Sequence, residues 1–251
     1  MINFDQFKQP VIFGHRGACA HAPENTISSF QLAVKQGADF VELDAKLSKD
    51  RQVMVIHDQT VDRTTNGHGK VNELVLDQLQ KLDAGSHFDI EYAGEKIPTL
   101  DEVFKTVGKE IFINVELTNY DSKSDDLIPL VAEVVKANQM EERVLFSSFL
   151  PKNLARIHEL IPQAPTAILC LSGLSGSLSR SFLFLGVSPK IVHPYLNDTN
   201  ESMVKKEHKR GRRVHVWTVN EAADMQYLLK IGADGLFTDD PLKAKEVFSR
   251  K

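Results

Sequence analysis

Residues 40–58 read FVELDAKLSKDRQVMVIHD and contain two apolar runs of the kind that form strands, Phe40–Leu47 and Val53–His57. Only five residues, 48–52, separate these runs. Because a parallel crossover needs about a dozen residues or more, the short connection predicts an antiparallel hairpin. Because one arm of the hairpin runs antiparallel, it is left out when the parallel strands are counted, and that count indicates the fold.

Short apolar runs alternate with segments of helical periodicity along the rest of the chain. Helices are predicted at Ile27–Gln36, Leu127–Ala137 and Ala222–Ile231, among others. Besides the hairpin, the predicted strands are Val11–His15, Ile111–Leu117, Val144–Phe149, Thr166–Leu171, Lys190–Tyr195, Val214–Val219 and Gly235–Thr238. This alternation indicates a parallel sheet, either doubly wound or closed. Without the return arm of the hairpin eight strands remain, which favours a closed α/β fold, the (β/α)8 TIM barrel.

One segment, Asp58–Pro98, breaks the alternation because it is long, polar and poor in strand pattern. We interpret it as a small insertion or cap on the barrel, with a short helix at Leu74–Leu82. The chain of 251 residues is then predicted to form a single TIM-barrel domain, 1–251, that carries residues 58–98 as its insertion.

Composition excludes several classes of protein. The formal net charge is −4, from 30 basic and 34 acidic residues, so no nucleic-acid-binding surface is expected. No apolar run approaches the roughly 18 residues that span a membrane, and we expect no stable membrane anchor. The residues before His15 are too few and too polar for a signal peptide, and two cysteines do not make a disulfide framework. We expect a cytoplasmic protein and leave open whether it forms homo-oligomers.

Two local features each permit two interpretations. The basic cluster at residues 205–213 is either a solvated helix end, where cations suit the helix dipole, or a binding patch. From Pro162 to Ser188 the only charged residue is Arg180. This stretch is either a strand and a helix packed on the barrel, or an apolar rim that tolerates a lipid tail.

Polar residues collect at the carboxyl ends of the predicted strands, where barrels place their active sites. Glu42 and Asp44 are two residues apart on one strand and therefore face the same side. Glu116 can converge on them from a neighbouring strand. Buried carboxylates need compensation, either by a divalent cation with oxygen ligands or by a basic side chain.

The hairpin brings His57 roughly opposite Glu42 and Asp44, and Asp58 is placed to orient or cap it. His15 and Arg16 follow the first strand. Two imidazoles at one barrel mouth suit a general acid and a general base, and an arginine beside them suggests a phosphate-bearing substrate. These residue types together favour phosphoester chemistry.

Eight motifs occur in an order typical of one enzyme family and cover nearly the whole chain. They are GHRGACAHAPENT, ADFVELDAKLSKDRQVMVIHD, DRTTNGHGKV, IPTLDEV, INVELT, LFSSF, VHVWTVN and GADGLFTDDP. With them the chain resembles the glycerophosphodiester phosphodiesterases. The resemblance implies a (β/α)8 barrel and the hydrolysis of small glycerophosphodiesters, such as deacylated phospholipids, to glycerol 3-phosphate and an alcohol.

The resemblance also implies roles for individual residues. His15 and His57 match the acid–base pair, and Arg16 matches a phosphate contact. Glu42, Asp44 and Glu116 match the ligands of one divalent cation, Mg²⁺ or Ca²⁺. Trp217 matches a residue that lines the substrate pocket.

The chain departs from the family pattern at one position. Where the resemblance implies a lysine that helps to hold the phosphate, this chain has Thr118, which can donate a hydrogen bond but carries no charge. Another cation would have to compensate, or phosphate binding and substrate choice would change. Asn25 is interpreted either as the N-cap of the first helix or as a substrate contact.

Metal-dependent hydrolysis of glycerophosphodiesters by a two-histidine mechanism is therefore the leading hypothesis. The alternatives are a lysophospholipase D-like phosphodiesterase and a noncatalytic barrel that binds phosphate esters.

Overall fold

The computed structural model describes residues 2–122 and 125–249. Its sheet is a closed barrel of eight parallel strands with a ninth strand added as the arm of a hairpin. The strands are β1 (Val11–Gly14), β2 (Phe40–Leu47), β3 (Val53–Val55), β4 (Phe112–Leu117), β5 (Val144–Ser148), β6 (Thr166–Cys170), β7 (Ile191–Pro194), β8 (Arg213–Val216) and β9 (Gly235–Thr238). Pairing of β1 with both β2 and β9 closes the barrel. The predicted TIM barrel is confirmed.

Helices follow the strands along the chain, and most of them cover the outside of the barrel. They are α1 (Ile27–Gln36), α2 (Leu76–Leu79), α3 (Leu100–Val107), α4 (Leu127–Ala137), α5 (Pro151–Leu160), α6 (Gly173–Ser179), α7 (Glu201–Lys209), α8 (Ala222–Ile231) and α9 (Pro241–Ser249). Local chemistry sets several of their ends. Gly37 ends α1 at φ 81°, a left-handed conformation that glycine adopts without steric cost. Thr99 and Glu102 form a reciprocal capping box at the start of α3.

The hairpin lies where its short connection predicts it. Strand β3 pairs antiparallel to β2, with Ala45 opposite Val55 and Leu47 opposite Val53. The segment that follows contains the short helix α2 and packs through its own apolar cluster, formed by Met54, Ile56, Val61, Val71, Leu79, Ala84 and Ile97. The predicted helix at Leu74–Leu82 is shorter than expected, since α2 has only one turn.

Aromatic rings fill the amino-terminal part of the barrel. Phe13 stacks on Phe40 and on Phe237 at centroid distances of 4.6 and 4.5 Å. Phe4, from the turn before β1, stacks on Phe40, the first residue of β2. The apolar packing closes this end, so the opposite, carboxyl end is the one open to ligands. Among the described residues no helix is both long and apolar enough to cross a bilayer.

Candidate active site

A pocket of about 140 Å³ opens at the carboxyl ends of the barrel strands. The residues that line it lie on five strands, β2, β4, β5, β6 and β9, and just after β1, β3, β5 and β8. They are His15, Arg16, Glu42, Asp44, His57, Asn114, Glu116, Ser147, Phe149, Leu169, Trp217, Thr218 and Phe237. Seven of the eight side chains singled out in the sequence therefore meet in one pocket.

The three carboxylates form one compact group. Asp44 on β2 is in register with Glu116 on β4, and each of Glu42, Asp44 and Glu116 offers an oxygen within 4.8 Å of the others. Burial, followed by the charges of Asp44 and Glu116, raises the pKa of Glu42 well above its ordinary value. Burial and the charge of Asp44 raise the pKa of Glu116 to about 8. Without a cation the group cannot comfortably carry three negative charges, so its donor set fits a hard divalent ion.

Arg16 provides part of the compensation. Its Nε lies 3.6 Å from Oδ2 of Asp44, and its backbone N–H donates to Oε2 of Glu42 at 2.9 Å. Arg16 holds this position in a turn with φ 52°, in the left-handed region. The sequence left open whether a basic side chain or a divalent cation compensates the buried carboxylates. The structure contains both an ion pair with Arg16 and an acidic group able to bind a metal.

Each of the two histidines in the pocket is held by its own carboxylate. Nδ1 of His15 lies 2.6 Å from Oδ1 of Asp239, and Nδ1 of His57 lies 2.7 Å from Oδ1 of Asp58. Asn220 donates to Oδ2 of Asp239 at 2.6 Å. A carboxylate on Nδ1 fixes the ring tautomer and leaves Nε2 for chemistry in the pocket.

The electrostatics keep both orienting carboxylates ionised. Burial by itself would raise the pKa of Asp239, but the hydrogen bond and charge of His15 lower it to about 2. Hydrogen bonds from Arg63 lower the pKa of Asp58 far below its ordinary value, against a smaller opposing effect of burial. Each histidine is therefore beside a fixed negative charge at neutral pH.

Arg63 connects Asp58, the carboxylate beside His57, with Glu24 in the loop after β1. It donates through Nε to Oδ2 of Asp58 at 2.7 Å, and through Nη1 and Nη2 to Glu24 at 2.7 and 2.8 Å. Glu24 also accepts from Nη1 of Arg16 at 2.9 Å. Burial would raise the pKa of Glu24, but the two arginines lower it to about 2. An unbroken chain of ionic hydrogen bonds thus links His57 to Arg16.

Thr118 does not belong to the pocket lining, and its predicted role in binding substrate is not supported. The residue is 2% exposed, its hydroxyl donates to the carbonyl of Ala45 at 2.8 Å, and it accepts from Nζ of Lys46 at 2.9 Å. Lys46 follows Asp44 by two residues on β2 and is itself buried. Lys46 thus places a cation next to Thr118, the position where the family pattern has lysine. This compensating cation was not identified from the sequence.

Asn25 is not the N-cap of α1. Thr26 caps this helix, with its hydroxyl accepting from the N–H of Ser29. Asn25 instead donates to Oδ2 of Asp44 at 2.9 Å. It therefore positions one of the three carboxylates. His21, beyond the first turn, is a half-exposed loop residue whose Nε2 lies 3.2 Å from Oδ1 of Asp240.

Comparisons with known proteins agree with the motifs. A model of the glycerophosphoryl diester phosphodiesterase family matches residues 15–243. The glycerophosphodiester phosphodiesterase of Caldanaerobacter subterraneus is 38% identical over 236 residues, covering 92% of this chain and 94% of that protein. The Bacillus subtilis glycerophosphodiester phosphodiesterase is 35% identical over 251 residues, covering 90% of this chain and 82% of that protein.

A similar solved structure is that of a phosphodiesterase from Oleispira antarctica in complex with its product sn-glycerol 3-phosphate. It superposes with a TM-score of 0.87 at 29% identity, and the alignment covers 96% of this chain and 97% of that one. The family model extends over nearly the whole barrel and includes all the residues that line the pocket. The chain therefore belongs to the glycerophosphoryl diester phosphodiesterase family.

Proposed function

We propose that this chain hydrolyses glycerophosphodiesters to glycerol 3-phosphate and an alcohol, with His15 and His57 as the acid–base pair. The observation that carries the proposal is the placement of two imidazoles, each with a carboxylate on Nδ1, around a pocket that also contains Arg16 and three carboxylates. The Oleispira relative, with glycerol 3-phosphate as its product, supports this choice of substrate class.

In the proposed reaction a bond forms between phosphorus and the nucleophile's oxygen, and the bond from phosphorus to the leaving alcohol breaks. One imidazole accepts the nucleophile's proton at Nε2, and the other donates a proton from Nε2 to the leaving oxygen. Asp58 and Asp239 stabilise whichever ring is cationic. The Arg16 guanidinium contacts a nonbridging oxygen of the phosphate, and the Trp217 ring forms one wall of the pocket.

Glu42, Asp44 and Glu116 would hold one divalent cation, Mg²⁺ or Ca²⁺. When bound, this ion supplies positive charge to the nonbridging oxygens of the substrate. The raised pKa values of Glu42 and Glu116 support this assignment, because a cation restores the ionised forms of both side chains.

The test is the release of glycerol 3-phosphate from glycerophosphocholine by the purified chain, with Mg²⁺, Ca²⁺ and Mn²⁺ compared. We expect turnover with at least one of these ions and its loss when a chelator is added. Absence of turnover with all three would contradict the proposal and favour the noncatalytic phosphate-ester-binding barrel.

A second candidate is lysophospholipase D-like activity, which is favoured by the exposed Leu171 just beyond β6. An acyl chain on the substrate could then lie against apolar surface outside the pocket. Parallel assays with lysophosphatidylcholine and glycerophosphocholine separate the two activities. Hydrolysis of glycerophosphocholine alone would exclude this candidate.

A further inference from the structure

The segment between β6 and β7 exposes an unusual concentration of large apolar side chains. Among the described residues nine such side chains are exposed, and five of them lie within residues 171–183, here called the apolar segment. They are Leu171, Leu174, Leu178, Phe182 and Leu183. Leu174 is 92% exposed and Phe182 is 72% exposed. Scattered apolar side chains are normal on a protein surface, but a cluster of this kind marks an interaction site.

The apolar segment does not bury its leucines against the barrel. The short helix α6 is rich in glycine and serine, and the only buried residue in it is Gly176. A Cβ at Gly176 would stand 1.8 Å from the carbonyl oxygen of Leu171, so this glycine lets the helix pack closely at that point. Leu174 and Leu178 consequently project outward.

A basic surface borders the apolar segment. Lys205, Lys206 and Lys209 are exposed on α7 and are here called the basic face; Lys205 pairs with the exposed Glu201 one turn earlier on the same helix. A groove of about 420 Å³ lies between the two, with Arg180 and Phe182 on one side and Lys206 and Arg210 on the other. Serine and asparagine side chains also line this groove, as do Asp198 and Glu207.

The acidic groups near the groove are largely engaged within the protein. The Glu207 carboxylate is buried and pairs with Arg210 and Arg212. Asp198 accepts from the N–H of Gly173. Within the described ranges Lys206 and Lys209 take part in no ion pair, and residues 160–197 contain no acidic residue. The surface is therefore locally positive although the whole chain carries a net charge of −4.

We propose that the apolar segment and the basic face together form a surface that binds the interface of an anionic phospholipid membrane. Apolar side chains that enter the boundary between headgroups and acyl chains, flanked by lysines that attract anionic lipids, are the two components of reversible interfacial binding. Phosphate groups of the lipids would lie over the groove, near Arg180, Lys206 and Arg210.

Charge favours a membrane over a second copy of the chain. In a two-fold symmetric dimer the same surface meets itself, so the two basic faces would be brought together. An anionic lipid surface instead complements them. The apolar segment begins two residues after Leu169, which lines the pocket, so a docked molecule would hold its barrel mouth close to the lipid.

Vesicle co-sedimentation tests the proposal on the full chain. Vesicles of phosphatidylcholine alone are compared with vesicles of phosphatidylcholine and phosphatidylglycerol, at low and at high salt. We expect binding to the anionic vesicles that weakens as salt rises. Replacing Leu174 and Phe182 together by serine should weaken binding about tenfold or more. Replacing Lys206 and Lys209 together by glutamine should weaken it about tenfold.

The matched control replaces Phe88 and Ile90, two exposed apolar side chains of the insertion, by serine. This control should bind vesicles like the wild type, and all variants should retain their circular dichroism spectra and turnover of soluble glycerophosphocholine. Lack of binding, or an equal loss in the control variant, would overturn the proposal. Complete competition by free glycerol 3-phosphate would instead assign the groove to a soluble phosphate ester. A dimer in sedimentation velocity that the Leu174 and Phe182 replacements dissociate would assign the surface to a second copy.

Discussion

Two pairs of histidines lie inside the same barrel, and their surroundings differ. His15 and His57 line the open pocket, and a carboxylate contacts Nδ1 of each. His193 on β7 and His215 on β8 are fully buried with ring centroids 5.3 Å apart, and their ring nitrogens have no hydrogen-bond partner among the described residues. Both buried rings pack against Phe13. The hydrogen-bond partners of an imidazole and its access to solvent, rather than the residue type alone, therefore determine whether it is suited to proton transfer.

The largest loss of activity should come from replacing one of the three buried carboxylates proposed to bind the cation. Glu42→Gln should lower kcat/KM for glycerophosphocholine about a thousandfold, because a cation ligand contributes several kcal/mol to the transition state. In chelator its free energy of unfolding should be equal to or higher than that of the wild type, since a neutral amide avoids the burial cost and the repulsion from Asp44 and Glu116 that raise the pKa of Glu42. Exposed Glu73→Gln is the matched control and should change neither quantity. A variant that is fully active would refute the assigned role.

The carboxylates on Nδ1 are what distinguish the pocket histidines from the buried pair. Asp239→Asn should lower kcat about a hundredfold, because the hydrogen bond from His15 to a charged carboxylate is replaced by one to a neutral amide. Asp240→Asn is the control, since Asp240 contacts the exposed His21 and asparagine still caps a helix. Similar kinetics for the two variants would show that Asp239 does not position His15.

The buried pair should reveal itself in the pH dependence of stability. Burial lowers the pKa of His193 from 6.5 to about 3. Between these values the unfolded chain binds a proton that the folded chain excludes, so stability falls as the pH is lowered. The loss from His193 should be about 2 kcal/mol at pH 5.

Urea unfolding at pH 7 and pH 5 measures this loss. His193→Phe should reduce the difference in unfolding free energy between the two pH values, whatever its effect at pH 7. An unchanged difference would mean that His193 is accessible to protons in the folded state.

The smallest loss of activity is expected on replacing Arg63, the residue of the insertion that connects Asp58 with Glu24. Arg63→Ala should lower kcat/KM about tenfold, because Asp58 and Glu24 each lose two charge-assisted hydrogen bonds. Arg51→Ala removes an exposed arginine that pairs with Asp126 and with neither Asp58 nor Glu24, and it serves as the control. Equal kinetics for Arg63→Ala and the wild type would show that the connection has no part in catalysis.

Short-range rules predicted most of the barrel and much of the pocket. Five residues between two strands required a hairpin, and the spacing of Glu42 and Asp44 required that they share a face. The hairpin also placed His57 at the pocket, and the suggested contact between Asp58 and His57 is confirmed. These inferences succeed because each depends on residues that are close in sequence or on one strand period.

Most of what the sequence did not predict depends on contacts between residues far apart in the chain. Lys46 meets Thr118 across 72 positions and Arg63 meets Glu24 across 39, and no local pattern predicts such contacts. Of the two interpretations left open for Asn25, the N-cap is excluded, because Thr26, the next residue, caps the helix and asparagine and threonine both serve as N-caps. His193 lies in an apolar strand without any motif around it.

His15 and His57, and not the buried pair, are proposed to carry out proton transfer. The most direct test is the release of glycerol 3-phosphate from glycerophosphocholine by His15→Ala, His57→Ala and His193→Phe, measured side by side on chains whose folding is confirmed by circular dichroism. We predict that each of the first two loses about 10²–10⁴-fold in kcat and that His193→Phe stays close to the wild type. Wild-type turnover by His15→Ala or His57→Ala would contradict the claim.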